Sequence, residues 1–255
     1  MTPRKIAFLV MAAALVLLPI FSRPPSAREL SAQEILDTVD DLYRGKSAAG
    51  KMTMTIVTAQ WQRSLSVDFW TKGKEKSLMR ITAPQKEKGT ATLRVGNDIY
   101  NYLPKVKRTI KLPSSMMSAS WMGSHFTNDD LVKESRFTDD FTFNITARSR
   151  EAGAEVVEIT CIPKPTAAVV WGKVVVYART ADYTPLRSLY YDEDGKLART
   201  MVFSDVGKVG SRTLPRLLTI TPHDKPGEKT SVRYDDIRFD VSLSDDIFSL
   251  RTLER

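Results

Sequence analysis

Alternation of apolar and polar residues with a period of two runs through most of the chain and constrains its fold more than any other feature. In the first clear run, Met52, Met54 and Ile56 alternate with threonines. A period of two places every second side chain on the same face of a β-strand. Candidate strands, by this pattern or by a short apolar run, are 52–57, 64–69, 77–82, 90–95, 99–103, 106–112, 141–145, 154–161, 169–177, 186–191, 198–203, 217–221 and 231–241.

Short polar connections separate these candidate strands. Gly96-Asn97-Asp98 and Asp192-Glu193-Asp194-Gly195 are signals for tight hairpins. Longer turns rich in proline, glycine and charged residues are found at 84–89 and 222–227. The strands therefore follow one another as an antiparallel meander, and a meander of about ten or more strands curls into a barrel or a half-barrel.

Two helical segments are predicted beside the strands. Ser31 with Glu34 three residues later is a capping box, and apolar side chains then fall on one helical stripe until Gly45. The other segment is 115–122, and neither has an obvious place except across the open mouth of a barrel. We therefore predict a mainly β fold, a half-open antiparallel β-barrel with helices forming a lid over an apolar cavity.

The second helical segment belongs to an unusual stretch, residues 112–126, with the sequence LPSSMMSASWMGSHF. It holds no Lys, Arg, Asp or Glu, although 27% of the chain is charged. Methionine and aromatic side chains are large and adaptable, which suits a surface that fits varied apolar partners. Two interpretations remain open, a core helix whose methionines fill gaps and a mobile apolar lid over a cavity.

The predicted strands are rich in large, adaptable residues on the faces expected to point inward. Eight strands already enclose room for one small ligand, although core packing alone would also account for these residues. The candidate ligand-binding residues of the cavity and lid are Met54, Leu65, Phe69, Met79, Ile81, Leu93, Tyr100, Tyr102, Met116, Met117, Trp121, Met122, Phe126 and Trp171. We predict one connected apolar space lined by Met54, Phe69, Met79, Tyr102, Trp121 and Met122.

The first residues predict a secretory signal peptide. Arg4 and Lys5 precede an apolar run that only one proline interrupts, and the run is short for a membrane span. Cleavage after Ala27 is preferred, with Ser22 as a rival site and an uncleaved anchor as the alternative. No cysteine follows the run directly, so the exported chain is not expected to be a lipoprotein itself.

The exported part, 28–255, has the length of a single all-β domain of roughly 200–250 residues. Removal of residues 1–27 lowers the formal net charge from +8 to +5, which is a weak indication of any partner and fits an anionic membrane surface. Cys161, the one cysteine, stands in an apolar run, where burial as a small hydrophobic residue is expected.

Enzymatic and nucleic-acid-binding functions find little support. The chain has two histidines, His125 and His223, and it lacks a Gly-x-Ser-x-Gly elbow, a His-Glu-x-x-His pair and a phosphate-binding glycine loop. We therefore predict no catalytic residues, no metal site and no cofactor. The basic segment 105–111 alternates lysine with apolar residues, and export argues against a nucleic-acid partner.

Several motifs occur in an order that resembles the outer-membrane lipoprotein-sorting family, the periplasmic proteins related to the lipoprotein carrier LolA. The resemblance covers residues 31–253, and its most specific block is the one around Gly123. The motifs are Arg80-x-x-x-Pro84-x-x-x-x-Gly89, Tyr100-Asn101-Tyr102-Leu103-Pro104, Ser120-Trp121-Met122-Gly123-Ser124-x-Phe126-Thr127-Asn128-Asp129-Asp130-Leu131, Pro185-Leu186, Tyr190-Tyr191-Asp192-x-x-Gly195 and Asp246-x-Phe248-x-x-x-x-Leu253.

The resemblance implies a periplasmic, monomeric carrier that binds acyl chains of a lipid or lipoprotein and passes them between membranes or to and from an inner-membrane exporter or permease. It also implies transient membrane contact, and it compares Arg80 with the arginine that latches the lid in such carriers. The alternative for Arg80 is an ordinary surface strand residue. The alternative function is a non-transporting module of the same fold that senses lipid and regulates a membrane partner.

Overall fold

Thirteen antiparallel strands form one continuous sheet in the computed structural model, which describes residues 29–133, 140–167 and 169–255. The predicted signal peptide, residues 1–27, lies outside the described residues. The strands are β1 (Ser47–Val57), β2 (Gln62–Lys72), β3 (Lys76–Ala83), β4 (Ala91–Val95), β5 (Asp98–Leu103), β6 (Arg108–Lys111), β7 (Phe141–Glu151), β8 (Ala154–Pro163), β9 (Lys173–Arg179), β10 (Pro185–Tyr191), β11 (Leu197–Val209), β12 (Arg212–Pro222) and β13 (Lys229–Phe239).

The sheet consists of two meanders joined in its middle. Its strand order is β6-β5-β4-β3-β2-β1-β13-β12-β11-β10-β9-β8-β7, so that β1 pairs with β13 and all other pairs are neighbours along the chain. Among the described residues, β6 and β7 form the two edges, and the sheet stays open instead of closing into a barrel. The predicted mainly β fold of about ten or more antiparallel strands is confirmed, and the predicted half-open barrel takes the form of an open sheet.

Two predicted strands begin later than expected. Strand β6 starts at Arg108 because residues 104–107 form a turn, in which the Lys107 N–H donates to the Pro104 carbonyl at 3.2 Å. Strand β9 starts at Lys173, and Trp171 before it faces a cavity instead of a neighbouring strand.

Helix α1 (Ala32–Arg44) begins at the predicted capping box. The Glu34 carboxylate accepts from the Ser31 N–H at 2.8 Å, and the Glu34 N–H donates to the Ser31 hydroxyl at 3.3 Å. The helix ends at Gly45, whose φ of +60° suits a residue without a side chain. Its apolar stripe, which includes the buried Ile35 and Leu36, packs on β7, β8 and β9.

Residues 113–131, here called the lid segment, cross the inner face of the sheet, which we define as the face that carries Met54, Phe69 and Met79. The single helix predicted at 115–122 is replaced by two 3-10 turns, Ser114–Met116 and Trp121–Gly123, and helix α2 (Asn128–Lys133) follows. Positive φ angles at Met122 and Gly123 prevent a continuous α-helix here. In the described part of the chain, no helix has the length and apolar character to span a membrane.

The outer face of β3, β4 and β5 is covered by the end of the chain. A 3-10 turn (Asp245–Phe248) and helix α3 (Leu250–Leu253) bring Phe248 and Leu253 onto Leu78 and Leu93. This part of the sheet is therefore covered on both faces, by the lid segment on one side and by α3 on the other.

Candidate functional site

An apolar cavity of about 200 Å³ lies between helix α1, the inner face of the sheet and the lid segment. Strands from both halves of the sheet contribute to it, so the cavity straddles the β1–β13 junction. The apolar lining residues are Leu36, Val39, Tyr43, Met52, Phe69, Met79, Phe126, Phe141, Val169, Trp171, Val174, Val176, Tyr190, Met201, Phe203 and Tyr234.

In the second half of the sheet, which consists of β7–β13, the floor of the cavity contains one small residue, Ser188. Its register neighbours are Val176 on β9 and Met201 on β11, and all three side chains line the cavity. Ser188 is buried, and larger apolar side chains bound the space in front of it. A larger side chain at this position would occupy the cavity directly.

Charges at the α1 side of the cavity are paired with one another. The Arg44 guanidinium lies 2.6 Å from the Asp40 carboxylate, and the Lys74 ammonium lies 3.2 Å from Asp37. These four side chains line the cavity beside the apolar residues of α1. Because their charges cancel, this border presents little net charge to an apolar ligand.

Arginines from the sheet hold the lid segment through its backbone. Arg63 donates to the Met122 carbonyl, Arg94 to the Leu131 carbonyl at 2.8 Å, and Arg199 to the His125 carbonyl at 3.1 Å. Met122 and His125 lie in the part of the lid segment without charged side chains, which offers few strong side-chain acceptors, and backbone carbonyls take their place. The lid segment is thus attached to the sheet by cations that lie outside it.

Arg199 makes the most extensive of these contacts. It is 3% exposed, its guanidinium carbon lies 4.3 and 4.2 Å from the ring centroids of Trp171 and Tyr190, and its two terminal nitrogens donate to the Asp130 carboxylate at 2.8 and 2.6 Å. Burial by itself would lower the pKa of Arg199, but the Asp130 carboxylate outweighs it and raises that pKa. The guanidinium therefore stays charged against two aromatic rings, whose centroids lie 5.3 Å from each other.

His125 fixes the lid segment to β13 and to the turn before it. Its backbone N–H donates to the Thr230 hydroxyl at 3.0 Å, and its Nδ1 lies 2.8 Å from the same oxygen. Its Nε2 lies 3.0 Å from the Glu228 carboxylate. The hydrogen bond with His125, followed by one from the Ala59 N–H, holds the pKa of Glu228 below its usual range.

The contact between His125 and Glu228 predicts a dependence of stability on acidity. A carboxyl with a lowered folded-state pKa stabilises the fold above its ordinary pKa of 4.5, and this contribution is lost as the pH falls through the lowered value. We expect the unfolding free energy to fall by a smaller amount between pH 6 and pH 3 in Glu228→Gln than in the parent. Urea unfolding at pH 6 and at pH 3 measures the unfolding free energy of both proteins. An equal fall in the parent and in Glu228→Gln would contradict the prediction.

Four of the sequence-predicted residues, Phe69, Met79, Phe126 and Trp171, line the cavity. The packed core beneath the lid segment contains Met54, Leu65 and Ile81. Trp121 of the lid segment enters this core, and Met122 packs against it. Leu93, Tyr100 and Tyr102 pack against the end of the chain on the outer face, whereas Met117 packs near Ile99 and Met116 is largely exposed. Arg80 donates to the Thr252 carbonyl at 2.5 Å, so it contacts α3 and not the lid segment.

Strand register explains this division. Leu78, Leu93 and Tyr100 are register partners across β3, β4 and β5, and therefore share the outer face. Met79 and Thr92 are partners on the inner face, where Thr92 accepts a hydrogen bond from the Trp121 indole at 3.1 Å. The structure thus brings a subset of the predicted residues together. It adds side chains of α1, which was predicted only as part of the lid, and further residues of the second half of the sheet besides Trp171.

A polar pocket of about 520 Å³ adjoins the cavity and shares Phe126 and Trp171 with it. It lies between the lid segment and the turns before β11 and β13. Charges of both signs line it, from Asp192, Lys196, Arg199, Asp224, Lys225 and Glu228. At this junction the Trp171 Nε1 and the Arg199 Nε are buried donors without a hydrogen-bond partner in the described part of the structure. An oxygen acceptor placed there would satisfy a donor that is otherwise costly to bury.

Metal and thiol chemistry have no evident place in the described residues. Within 29–133, 140–167 and 169–255, no three His, Cys, Asp or Glu side chains lie together as the ligands of a metal ion would. The thiol of Cys161 is buried in the core between α1 and β7–β9, and burial raises its pKa to about 12. A thiol in this state is a poor nucleophile.

Comparison with known proteins supports the resemblance seen in the motifs. The sequence model of one family, described as an uncharacterized protein, matches residues 73–255. Among curated proteins, none matches the chain.

Solved structures share the fold over nearly their whole length. A DUF1329 family protein from Desulfovibrio piger is 20% identical, with a TM-score of 0.78 over 86% of this chain and 96% of the other. A putative outer membrane lipoprotein-sorting protein domain from Vibrio parahaemolyticus is 25% identical, with a TM-score of 0.75 over 87% of this chain and 97% of the other. A LolA superfamily protein from Nitrosomonas europaea is 21% identical, with a TM-score of 0.75 over 88% of this chain and 99% of the other.

Proposed function

Because the chain belongs to this family of uncharacterized proteins and is LolA-like in sequence motifs and fold, we propose that its cavity binds an acyl chain of a lipid or lipoprotein. The protein then acts as a periplasmic carrier, exported by its signal peptide, and it has no enzymatic activity. It moves its cargo between membranes or to and from an inner-membrane exporter, with transient contact to the bilayer. The observation that carries this proposal is the apolar cavity beneath α1 and the lid segment.

The lining of the cavity fits an acyl chain. Phe69, Met79, Met201 and Phe203 supply aromatic and methionine surface, which adapts to a flexible chain. Each methylene group removed from water contributes about 0.8 kcal/mol, so a carrier gains affinity from chain length without any specific polar contact.

The size of the cavity requires movement on loading. Its volume of about 200 Å³ lies below the roughly 300–1,000 Å³ usual for pockets that enclose a small molecule. A long chain therefore enters only when α1 or the lid segment moves away from the sheet. Gly123, with the small Ser120 and Ser124 nearby, gives the backbone of the lid segment conformational freedom for such a movement.

The polar pocket next to the cavity accommodates the other end of the cargo. An ester or amide oxygen at the junction would accept from the Trp171 Nε1 or the Arg199 Nε, which lack partners within the described residues. The remaining polar part of the cargo then lies among Lys196, Lys225 and Glu228.

Filling the cavity tests the function directly. We expect Ser188→Leu to weaken binding of a fluorescent fatty acid about ten-fold or more, since a buried leucine occupies space that the acyl chain needs. Fluorescence titration measures the affinity, and thermal melting shows whether the variant is folded.

Ser64→Leu is the matched control, because Ser64 is exposed on the outer side of β2, away from the cavity. We expect this variant to bind like the parent. A parent protein that binds no fatty acid, lysophospholipid or lipopeptide would contradict the proposal, as would equal losses of affinity in both variants.

A further inference from the structure

Three turns meet at one end of the first half of the sheet. Register places the β1–β2 turn (58–61), the β3–β4 turn (84–90) and the β5–β6 turn (104–107) at this end, because Val57 pairs with Gln62, Ser66 with Ala83 and Leu103 with Arg108. The second and third turns touch, since a Cβ at Gly89 would lie 3.5 Å from the Pro104 ring. We call the three turns together the basic end.

Lysines crowd the two turns that touch. Lys86, Lys88, Lys105 and Lys107 are all exposed, and none forms an ion pair in the described part of the structure. The one carboxylate in these turns, Glu87, is taken by Arg63, whose guanidinium lies 3.1 Å away. The basic end therefore projects four lysine charges into solvent without local compensation.

Apolar side chains stand among these charges. Val106, between Lys105 and Lys107, is 58% exposed, and it is the most exposed large hydrophobic residue among those described. Trp61 in the first turn is 42% exposed, and the Arg63 guanidinium carbon lies 5.3 Å from its ring centroid. Exposed valine and tryptophan between cations match the boundary between lipid headgroups and acyl chains.

Protection of a sheet edge does not account for this arrangement. Charged residues on an edge strand deter pairing with other chains, and Arg108 on β6 fits that role. The four lysines, in contrast, occupy turns, where no strand edge needs protection. The polar pocket reaches the basic end at Thr58, and none of the four lysines lines it.

We propose that the basic end docks on the surface of a bilayer that contains anionic lipids. The lysines contact lipid phosphates, and Val106 and Trp61 enter the headgroup region. This inference rests on the proposed function in so far as a carrier must reach a membrane. Docking nevertheless uses residues that do not line the cavity, so its failure and the failure of acyl-chain binding are distinguishable.

Vesicle sedimentation with the unloaded exported chain tests the inference. We expect binding to vesicles of equal parts phosphatidylglycerol and phosphatidylcholine at low salt, and little binding to phosphatidylcholine alone. The double substitution Lys105→Glu with Lys107→Glu should weaken binding about 25-fold or more, at about five-fold for each basic residue near an anionic surface. Addition of about 0.5 M salt should weaken binding of the parent, because it screens exposed charges.

The matched control is Lys46→Glu with Lys208→Glu, which makes the same charge change at the opposite end of the sheet. A second pair compares Val106→Ser with Val206→Ser, since Val206 is also exposed, at 45%, but lies on β11. We expect only the substitutions at the basic end to reduce binding. Equal losses in the controls, or no binding to anionic vesicles by a folded parent, would overturn the proposal and leave an acidic protein surface as the partner for these lysines.

Discussion

Replacement of Arg199 by methionine is expected to lower the free energy of unfolding by about 3–5 kcal/mol. The substitution removes the cationic partner of Asp130, whose side chain is only 12% exposed, and leaves that carboxylate with a hydrogen bond from the Thr127 N–H but without a compensating charge. It also removes the cation that packs against the rings of Trp171 and Tyr190 and the hydrogen bond to the His125 carbonyl. Urea unfolding followed by circular dichroism measures the loss.

The control for this prediction is a double-mutant cycle. Asp130→Asn removes the charge but keeps the shape, and the combination with Arg199→Met no longer buries an unpaired carboxylate. We therefore expect the double variant to be more stable than the sum of the two single losses predicts. Strict additivity would show that the pair does not couple in the folded protein, and an unchanged stability in Arg199→Met would contradict the prediction outright.

Replacement of Trp121 by alanine is the second change with a large expected effect. Trp121 is 4% exposed, its indole donates to the Thr92 hydroxyl at 3.1 Å, and its ring packs edge-on against Phe126 at 6.5 Å between centroids. Loss of a buried tryptophan costs about 3–5 kcal/mol, which corresponds to roughly 6–20 °C in melting temperature for a domain of this size. Differential scanning calorimetry measures it.

Trp61→Ala is the matched control, because Trp61 is 42% exposed and stands in the turn between β1 and β2. We expect its melting temperature to stay within about 2 °C of the parent, as is usual for surface substitutions. If Trp121→Ala melted like the parent but lost fatty-acid binding, Trp121 would contact cargo and not serve as a core residue.

The fold was predictable from local patterns, because those patterns are set by the nearest neighbours along the chain. The capping box at Ser31 and the alternation around Met54 each need only a few residues to be recognised. The helix predicted at 115–122 was wrong in form, since the left-handed backbone at Met122 depends on the carbonyl contact with Arg63, which is distant in sequence.

The cavity was harder to predict than the strands. Strands β3 to β5 carry large apolar side chains on both faces, for instance Leu78 and Met79 in succession, because α3 covers the outer face. Alternation cannot distinguish the two faces when both are covered, so Leu93, Tyr100 and Tyr102 were grouped with the cavity residues. Only long-range packing of the end of the chain separates them.

A usable signal for the lid contact was present in β11. Arg199 stands in phase with Met201 and Phe203, which point inward, and it pairs in register with Tyr190. A charged residue in the inward phase of a strand must find a buried partner. The family resemblance points to Arg80 as the arginine that latches the lid, but the Arg80 guanidinium donates to the Thr252 carbonyl of α3.

The junction of β1 with β13 determines when the cavity can arise during folding. All other strand pairs join neighbours in the chain, but the side chains of Thr53 and Asp235, which bond across the junction, are 182 residues apart in sequence. Closing so long a loop costs more entropy than forming any hairpin, and such contacts slow folding. Phe69 and Met201 come from opposite sides of this junction, so the chain has two separate, incomplete apolar surfaces until the pairing of β1 with β13 joins them into one cavity.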